Sequence, residues 1–423
     1  MSLKKSKTLT ILSDSPFLNT GYSDQSKKIA KYFSEKGWIV HWLANGYVGQ
    51  PIKYAELKDG TKFNYTIWGQ IGHQYFADTI STHLKETKSD ILLVILDTFM
   101  LHGDPKNPQN GWFLNTDTSP AQVVFWYPSD GGGGMPVGCD LILKKCERAV
   151  AYSKFAQKQV KDYYNLDTPY IPLGTDPDRF YKLPDEQIIE AKKKYNVQNK
   201  FVVGVVARNQ PRKFLDRTIK TFRLVANNIP EAVLILHLDP NDPAQAFNIG
   251  NLIRRYNLEN RVLFTGMKAQ RSFDWNEMNE LYNAFDVFFL STSGEGWGIP
   301  LCEAMSCQIP VVATDYTTTQ EIIKDNKCGF GAKLSGTDEV DMFKENSRDY
   351  DTLVSNGTLT GSWEVERGFC DINDACKKIV HLYNNPDLRN EFGENGRNAV
   401  LTKYDMFNVV CPAFEKLFKE MLE

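Results

Sequence analysis

Short apolar runs and helix-length amphipathic stretches alternate from Leu9 to Tyr163, and the alternation starts afresh at Phe201. The first series has apolar runs at Leu9–Leu12, Ile39–Leu43, Ile91–Leu96, Val123–Tyr127 and Val150–Tyr152, with helical stretches over Gln25–Glu35 and, capped by Ser153, up to Tyr163. Strand–helix alternation closes a core as a mostly parallel sheet covered by helices. The second series runs through Phe201–Ala207, Ala232–His237, Val262–Phe264, Val287–Leu290 and Pro310–Ala313, with helices between. Tyr170–Phe180, holding Pro172 and Pro177, interrupts the pattern and marks a junction. At 423 residues the chain exceeds one ordinary core, since a domain usually takes about 100–200 residues. The expectation is an α/β chain of two Rossmann-like, doubly wound domains facing across a cleft. Residues 1–180 form the first and 181–403 the second, and a last helix over about 404–423 packs back on the first through Phe407, Val410, Phe414, Leu417 and Phe418.

One segment carries most of the chemistry. Asp286–Leu290 reads as a strand that runs directly into Ser291–Met305, where Glu295 and Glu303 stand eight residues apart across a glycine-rich turn. Pro300 suits a first helical turn, because the N–H it lacks has no partner there anyway. The turn therefore lies at the carboxyl end of a strand, the edge where open parallel sheets bind ligands. Free N–H groups of a glycine turn feeding a helix suit a phosphate, and carboxylates accept from neighbouring hydroxyls of a sugar or ribose. The plain alternative is a surface loop followed by an exposed helix.

The bulk properties narrow the partners. A net charge of −3 with 42% hydrophobic residues excludes disorder and gives no basis for a nucleic-acid partner. The eight cysteines form no C-x-x-C pair and read as buried free thiols of a reducing compartment. No apolar run reaches the ~18 residues that cross a bilayer, and Met1–Lys7 is not followed by a signal-peptide core, so the location expected is cytoplasmic.

The strand, glycine turn, Pro300 and both acids together resemble the GT-B glycosyltransferases, specifically the retaining family-4 group (glycosyltransferases group 1). The likeness is strong over Phe201–Cys328, and Gly174–Phe180 resembles the family's interdomain segment. It implies transfer of a sugar from a nucleotide-diphosphate sugar to an acceptor hydroxyl with retained anomeric configuration, without a metal or other cofactor. Glu295, with Gly296, Trp297, Gly298 and Ile299, would hold the donor sugar and Glu303 the ribose. Arg208 and Lys213 match the family's R-x4-K pair that neutralises the diphosphate, and the loop Gly266–Gln270, with Met267, would read the base. In the first domain Gly21, in Asn19–Gln25, would approach the donor, with Ser23 as helix cap and Tyr22 beside it toward the acceptor. Where relatives place a histidine, Trp126–Gly131 brings Asp130, fit to stabilise positive charge at the anomeric carbon or to bind an acceptor hydroxyl.

The remaining features are weaker. His102 follows a strand and could reach the cleft, whereas His237 reads as core. Gly131–Gly134 reads as a mobile loop at the cleft mouth, and Ser335–Gly368 as a polar surface insertion without clear chemistry. Asp176-Pro-Asp178 and Asp349-Tyr-Asp351 look like metal motifs but lie at the junction and in the insertion. The expected partners are a nucleotide-sugar donor and a carbohydrate, lipid-linked or protein acceptor, with peripheral membrane contact through lysines such as Lys27 and Lys31 as a further option. A non-catalytic sugar-nucleotide binder and a GT-B-fold sugar-nucleotide epimerase are the competing readings.

Overall fold

The computed structural model describes residues 6–56, 60, 62–102, 108–136, 138–240, 245–266, 273–341 and 364–423. Seven strands build the first sheet: β1 (Thr8–Asp14), β2 (Ile39–Val48), β3 (Ile52–Glu56), β4 (Lys62–Gln70), β5 (Ile91–Ile95), β6 (Gln122–Tyr127) and β7 (Arg148–Ala151). Their order is β3-β4-β2-β1-β5-β6-β7, parallel except for the β3–β4 pair at the edge. β1 and β5 are buried along their whole length, as continuous apolar runs in a sheet covered on both faces must be. The second sheet, entirely parallel, holds β8 (Phe201–Val206), β9 (Ala232–His237), β10 (Val262–Phe264), β11 (Val287–Leu290), β12 (Val311–Thr314) and β13 (Gly329–Ala332) in the order β10-β9-β8-β11-β12-β13. A separate antiparallel pair, β14 (Leu334–Asp341) with β15 (Glu364–Cys370), follows.

Strand order reverses between β1 and β5 in the first sheet and between β8 and β11 in the second. Such switch points open a crevice at the carboxyl ends of the strands. Two crevices therefore exist, and close contacts bring them together. A Cβ on Gly294 would stand 1.9 Å from the Asp130 carbonyl oxygen and one on Gly296 3.0 Å from Pro128, while Gly21 faces Ile299 at 3.0 Å.

The chain's last helix, Cys411–Leu422, packs on the first domain: Phe414 meets Trp126 of β6 edge-on at 4.8 Å and Phe418 lies 5.1 Å from Phe33 of the helix Gly21–Glu35. Residues 400–410 reach it through wide π-type turns instead of one continuous helix from Met406. All eight cysteines are buried and free. Among the described residues no helix is long and apolar enough to cross a membrane.

Candidate active site

The turn after β11 is fixed from several sides. Gly298 takes φ +100, a left-handed conformation that favours glycine, and ends the turn where the helix Ile299–Ser306 begins with Pro300 in its first turn. Thr317, itself left-handed at φ 50, accepts from the Glu295 N–H at 3.0 Å, and Thr318 donates to the Gly296 carbonyl at 3.1 Å. A non-glycine residue held in that region stores strain of the kind that clusters at functional sites. Gly294 has no room for a side chain because the Asp130 carbonyl lies against it.

Glu295 is 4% exposed, and its carboxylate accepts from Lys213 and, at 3.0 Å, from Arg212. Burial opposes its ionisation, but Lys213 and Arg212 outweigh that and hold the carboxyl down to about 2. Burial, together with the charge of Arg212, pushes Lys213 down to about 8 despite Glu295. Arg212 also faces Asp130 at 3.6 Å, and Asp130 receives Arg367 at 3.2 Å on its carboxylate and 2.6 Å on its carbonyl. The result is an alternating chain, Arg367, Asp130, Arg212, Glu295, Lys213, that crosses from β15 through the first domain to the second. Three cations and two carboxylates alternate in it. Eight residues further on, Glu303 accepts from Tyr282 at 2.6 Å, and burial raises its carboxyl to about 7.

On the first-sheet side, β1 ends at Asp14 and Asp97 follows β5. Tyr22 donates to Asp97 at 2.5 Å, and burial pushes Asp97 up to about 6, with Asp130 adding to the rise. Asp14 accepts from Thr20 at 2.7 Å and from Asn45 at 3.2 Å.

Several expectations need correction. The first helix begins at Gly21, a turn before Gln25, and its cap is Thr20, whose hydroxyl accepts from the Ser23 N–H at 3.1 Å; Ser23 lies inside the helix. Gly21 and Tyr22 thus belong to a rigid first turn. Gly131–Gly134 is not an open loop: Gly132 and Glu366 exchange two backbone hydrogen bonds, and Tyr316 donates to Glu366 at 2.7 Å. The stretch read as a featureless insertion supplies β14 and β15, and through them Arg367, which is fully buried. Arg208 lies exposed in the loop after β8, whereas Arg212, which the R-x4-K spacing passes over, stands at Glu295 beside Lys213. Trp297 is 3% exposed and packs edge-on against Tyr404, so its side chain belongs to the core. His102 is fully buried on the short helix Thr98–His102, and His237 is held at Thr265. Asp176 pairs with Arg179 and accepts the Asp178 N–H, a local turn at the junction. Met267 and Asp349–Asp351 lie outside the described residues.

Residues 187–349 match the family model of glycosyl transferases group 1. This segment is a group 1 glycosyl transferase domain. The chain is 22% identical to an uncharacterized glycosyltransferase of Methanocaldococcus jannaschii over 67% of its own length and 60% of that protein, so it spans less than two thirds of this relative. It is 23% identical to a trehalose synthase of Thermococcus litoralis, over 76% of this chain and 70% of the relative. The crystal structure of Anabaena HepE in complex with UDP superposes with a TM-score of 0.67 at 16% identity, covering 98% of this chain and 100% of that one. The whole chain therefore has the GT-B fold, two Rossmann-like units.

Proposed function

We propose that the protein transfers a sugar from a nucleotide-diphosphate sugar to an acceptor hydroxyl with retention of configuration and without a metal. The donor lies on the second domain, residues 181–403, and the acceptor on the first, residues 1–180. The observation that carries this reading is the Lys213–Arg212 pair at Glu295, set at the switch point of the second sheet and facing Asp130. A leaving nucleoside diphosphate gains negative charge as the glycosidic bond breaks, and preorganised, partly buried cations stabilise that charge more than water does. Glu295 keeps both cations in place before the donor arrives and accepts from the donor sugar's hydroxyls. Glu303, in the middle of the helix Ile299–Ser306, takes the ribose hydroxyls, while the N–H groups around Gly298, at the start of that helix, take phosphate. That the likened HepE structure contains UDP supports a nucleotide site in this fold.

The chemistry follows from the placement. The acceptor hydroxyl enters on the face from which the diphosphate departs, the bond from C1 to the leaving oxygen breaks as the new C1–O bond forms, and the departing phosphate takes the hydroxyl proton. Asp130 stabilises the positive charge that develops at C1. No nucleophile from the chain is required. The test is hydrolysis and transfer with UDP-, GDP- and ADP-sugars, with product anomers read by NMR and a parallel series in EDTA. A retained anomer in EDTA is expected. An inverted product, activity restored only by manganese, or no turnover of any nucleotide sugar refutes the corresponding part of the reading.

A further inference from the structure

The hairpin of β14 and β15 has no part in the transfer reading, yet β15 lies between the two crevices. On one side Glu366 exchanges backbone hydrogen bonds with Gly132 of the first domain, at 3.0 and 3.1 Å. On the other the Gly368 N–H donates to the Ser293 carbonyl at 3.0 Å, one residue before Gly294 in the turn that carries Glu295. Alternate residues of a strand share a face, so Val365 and Arg367 point the same way, and both are buried. Val365 fills the space at Gly131, where a Cβ would stand 2.8 Å from its own.

Arg367 is 0% exposed. An arginine is almost never fully buried unless it is paired, and a buried ion pair adds little net stability over apolar side chains of the same volume. The charge is therefore better explained by what it does to its partner. One terminal nitrogen, Nη1, donates to the Asp130 carbonyl at 2.6 Å and to Asp130 Oδ1 at 3.2 Å. The first bond fixes the backbone of Asp130 and the second the rotation of its side chain. Oδ2 is left facing Arg212 at 3.6 Å, too far for a hydrogen bond. Arg212 is hydrogen-bonded instead to Glu295 at 3.0 Å and to the Gly294 carbonyl at 3.2 Å. Each carboxylate oxygen of Asp130 thus faces its own guanidinium, and of the two Arg367 is the one that binds it.

We infer that Arg367 is a positioning residue for sugar transfer: from the second domain it holds the first-domain Asp130 in place at the cleft when the donor diphosphate draws Arg212 away. The inference rests on the transfer reading above and deepens it. Arg212 has to serve the diphosphate, so a carboxylate that leaned on Arg212 alone would either follow it or hold it back. With its carbonyl and Oδ1 fixed by Arg367, Asp130 does neither, and its remaining oxygen stays toward the reacting centre. Because the two residues belong to different domains, Asp130 has this support when the domains stand together, as they do here.

A double-mutant cycle on the full chain tests this, reading kcat and donor KM with whichever of the UDP-, GDP- and ADP-sugars is turned over, and Tm in parallel. Arg367→Met is expected to lower kcat by about 10- to 100-fold, the scale of a small misplacement at a reacting centre, with donor KM nearly unchanged. Asp130→Asn is expected to lower kcat as well, and adding Arg367→Met to it should lower kcat no further. A residue that merely packed the hairpin would cost the same factor in both backgrounds, because effects of independent sites add in free energy. Arg367→Lys keeps a cation in the buried place and guards against a hairpin loosened by Met. It should lose less kcat than Arg367→Met, at a Tm close to that of the natural protein, and again nothing once Asp130 is Asn. Equal losses in the two backgrounds, or natural kcat in folded Arg367→Met, overturns the inference. Natural kcat in Asp130→Asn would overturn the part given to Asp130 in the transfer reading, and the role of Arg367 would fall with it.

Discussion

Lys213 and Arg212 act through their charge, so their substitution should appear in turnover before it appears in binding. Either change to Ala is expected to lower kcat by about 10²–10³, the usual cost of losing one preorganised group that stabilises developing charge. The pH profile separates the two. Burial and Arg212 hold Lys213 down to about 8, so in the free protein it loses its proton as pH rises through that value, and kcat/KM should fall along an alkaline limb near 8. A bound diphosphate favours the charged amine, so the limb in kcat should lie higher. Lys213→Arg should remove the limb from kcat/KM, and a limb that persists there assigns it to another group. Glu303 has the opposite sense: burial raises it to about 7, so the carboxylate that accepts ribose hydroxyls forms as pH rises through 7. Donor KM should therefore improve between pH 6 and 8 in the natural protein and stay flat in Glu303→Ala. That variant should start at least tenfold higher, because hydrogen bonds to a charged group are worth about 1.5–3 kcal/mol.

Contacts between elements set how closely the two crevices can face each other. Gly294→Ala would bring a Cβ within 1.9 Å of the Asp130 carbonyl, and backbone stands on both sides of that clash, so the turn after β11 has to move away from the first domain. Transfer should drop by about a hundredfold, the scale expected for an ångström of misplacement, while nucleotide binding to the second domain persists. Transfer within a few-fold of the natural protein would show that the two crevices do not work in this apposition. These contacts also mark how far the sequence could be read. β1, β5, β8 and β11 were legible because a strand buried on both faces must be a continuous apolar run. The β3–β4 pair escaped because an edge strand carries mixed polarity, and the helix start at Gly21 escaped because its first turn is polar and only Asp14 fixes the cap at Thr20. Glu295, Glu303 and Lys213 lie in one local pattern or just after a strand, where spacing means something. Arg212, Asp97 and Arg367 meet only through tertiary contact, and the one-turn 3₁₀ helix Pro211–Lys213 presents Arg212, not Arg208, to Glu295.

At the scale of the whole molecule, the chain crosses between its two units more than once. Tyr170–Phe180 carries it over, and the turns at 400–410 bring it back, with Thr175 and Asp405 paired where the two crossings meet. Lys154 and Phe155, at the start of a first-domain helix, donate their N–H groups to Glu321 of the second at 3.1 and 2.7 Å. The last helix is joined in sequence to the second unit yet lies on the first, with Phe414 fully buried against Trp126. With so many links the units should unfold together, and a nucleotide that binds only the native second unit should protect the first by mass action. Differential scanning calorimetry is expected to show one transition that moves up as a whole with nucleoside diphosphate. Phe414→Ala removes an aromatic ring from a packed site, a change that costs about 3–5 kcal/mol, and the loss falls on the first unit alone. The variant should therefore split the transition, the lower part insensitive to nucleotide and the upper part still shifted by it. Two transitions in the unsubstituted protein, or a single undivided one in the variant that keeps its full nucleotide shift, would show that the returning helix does not couple the two units.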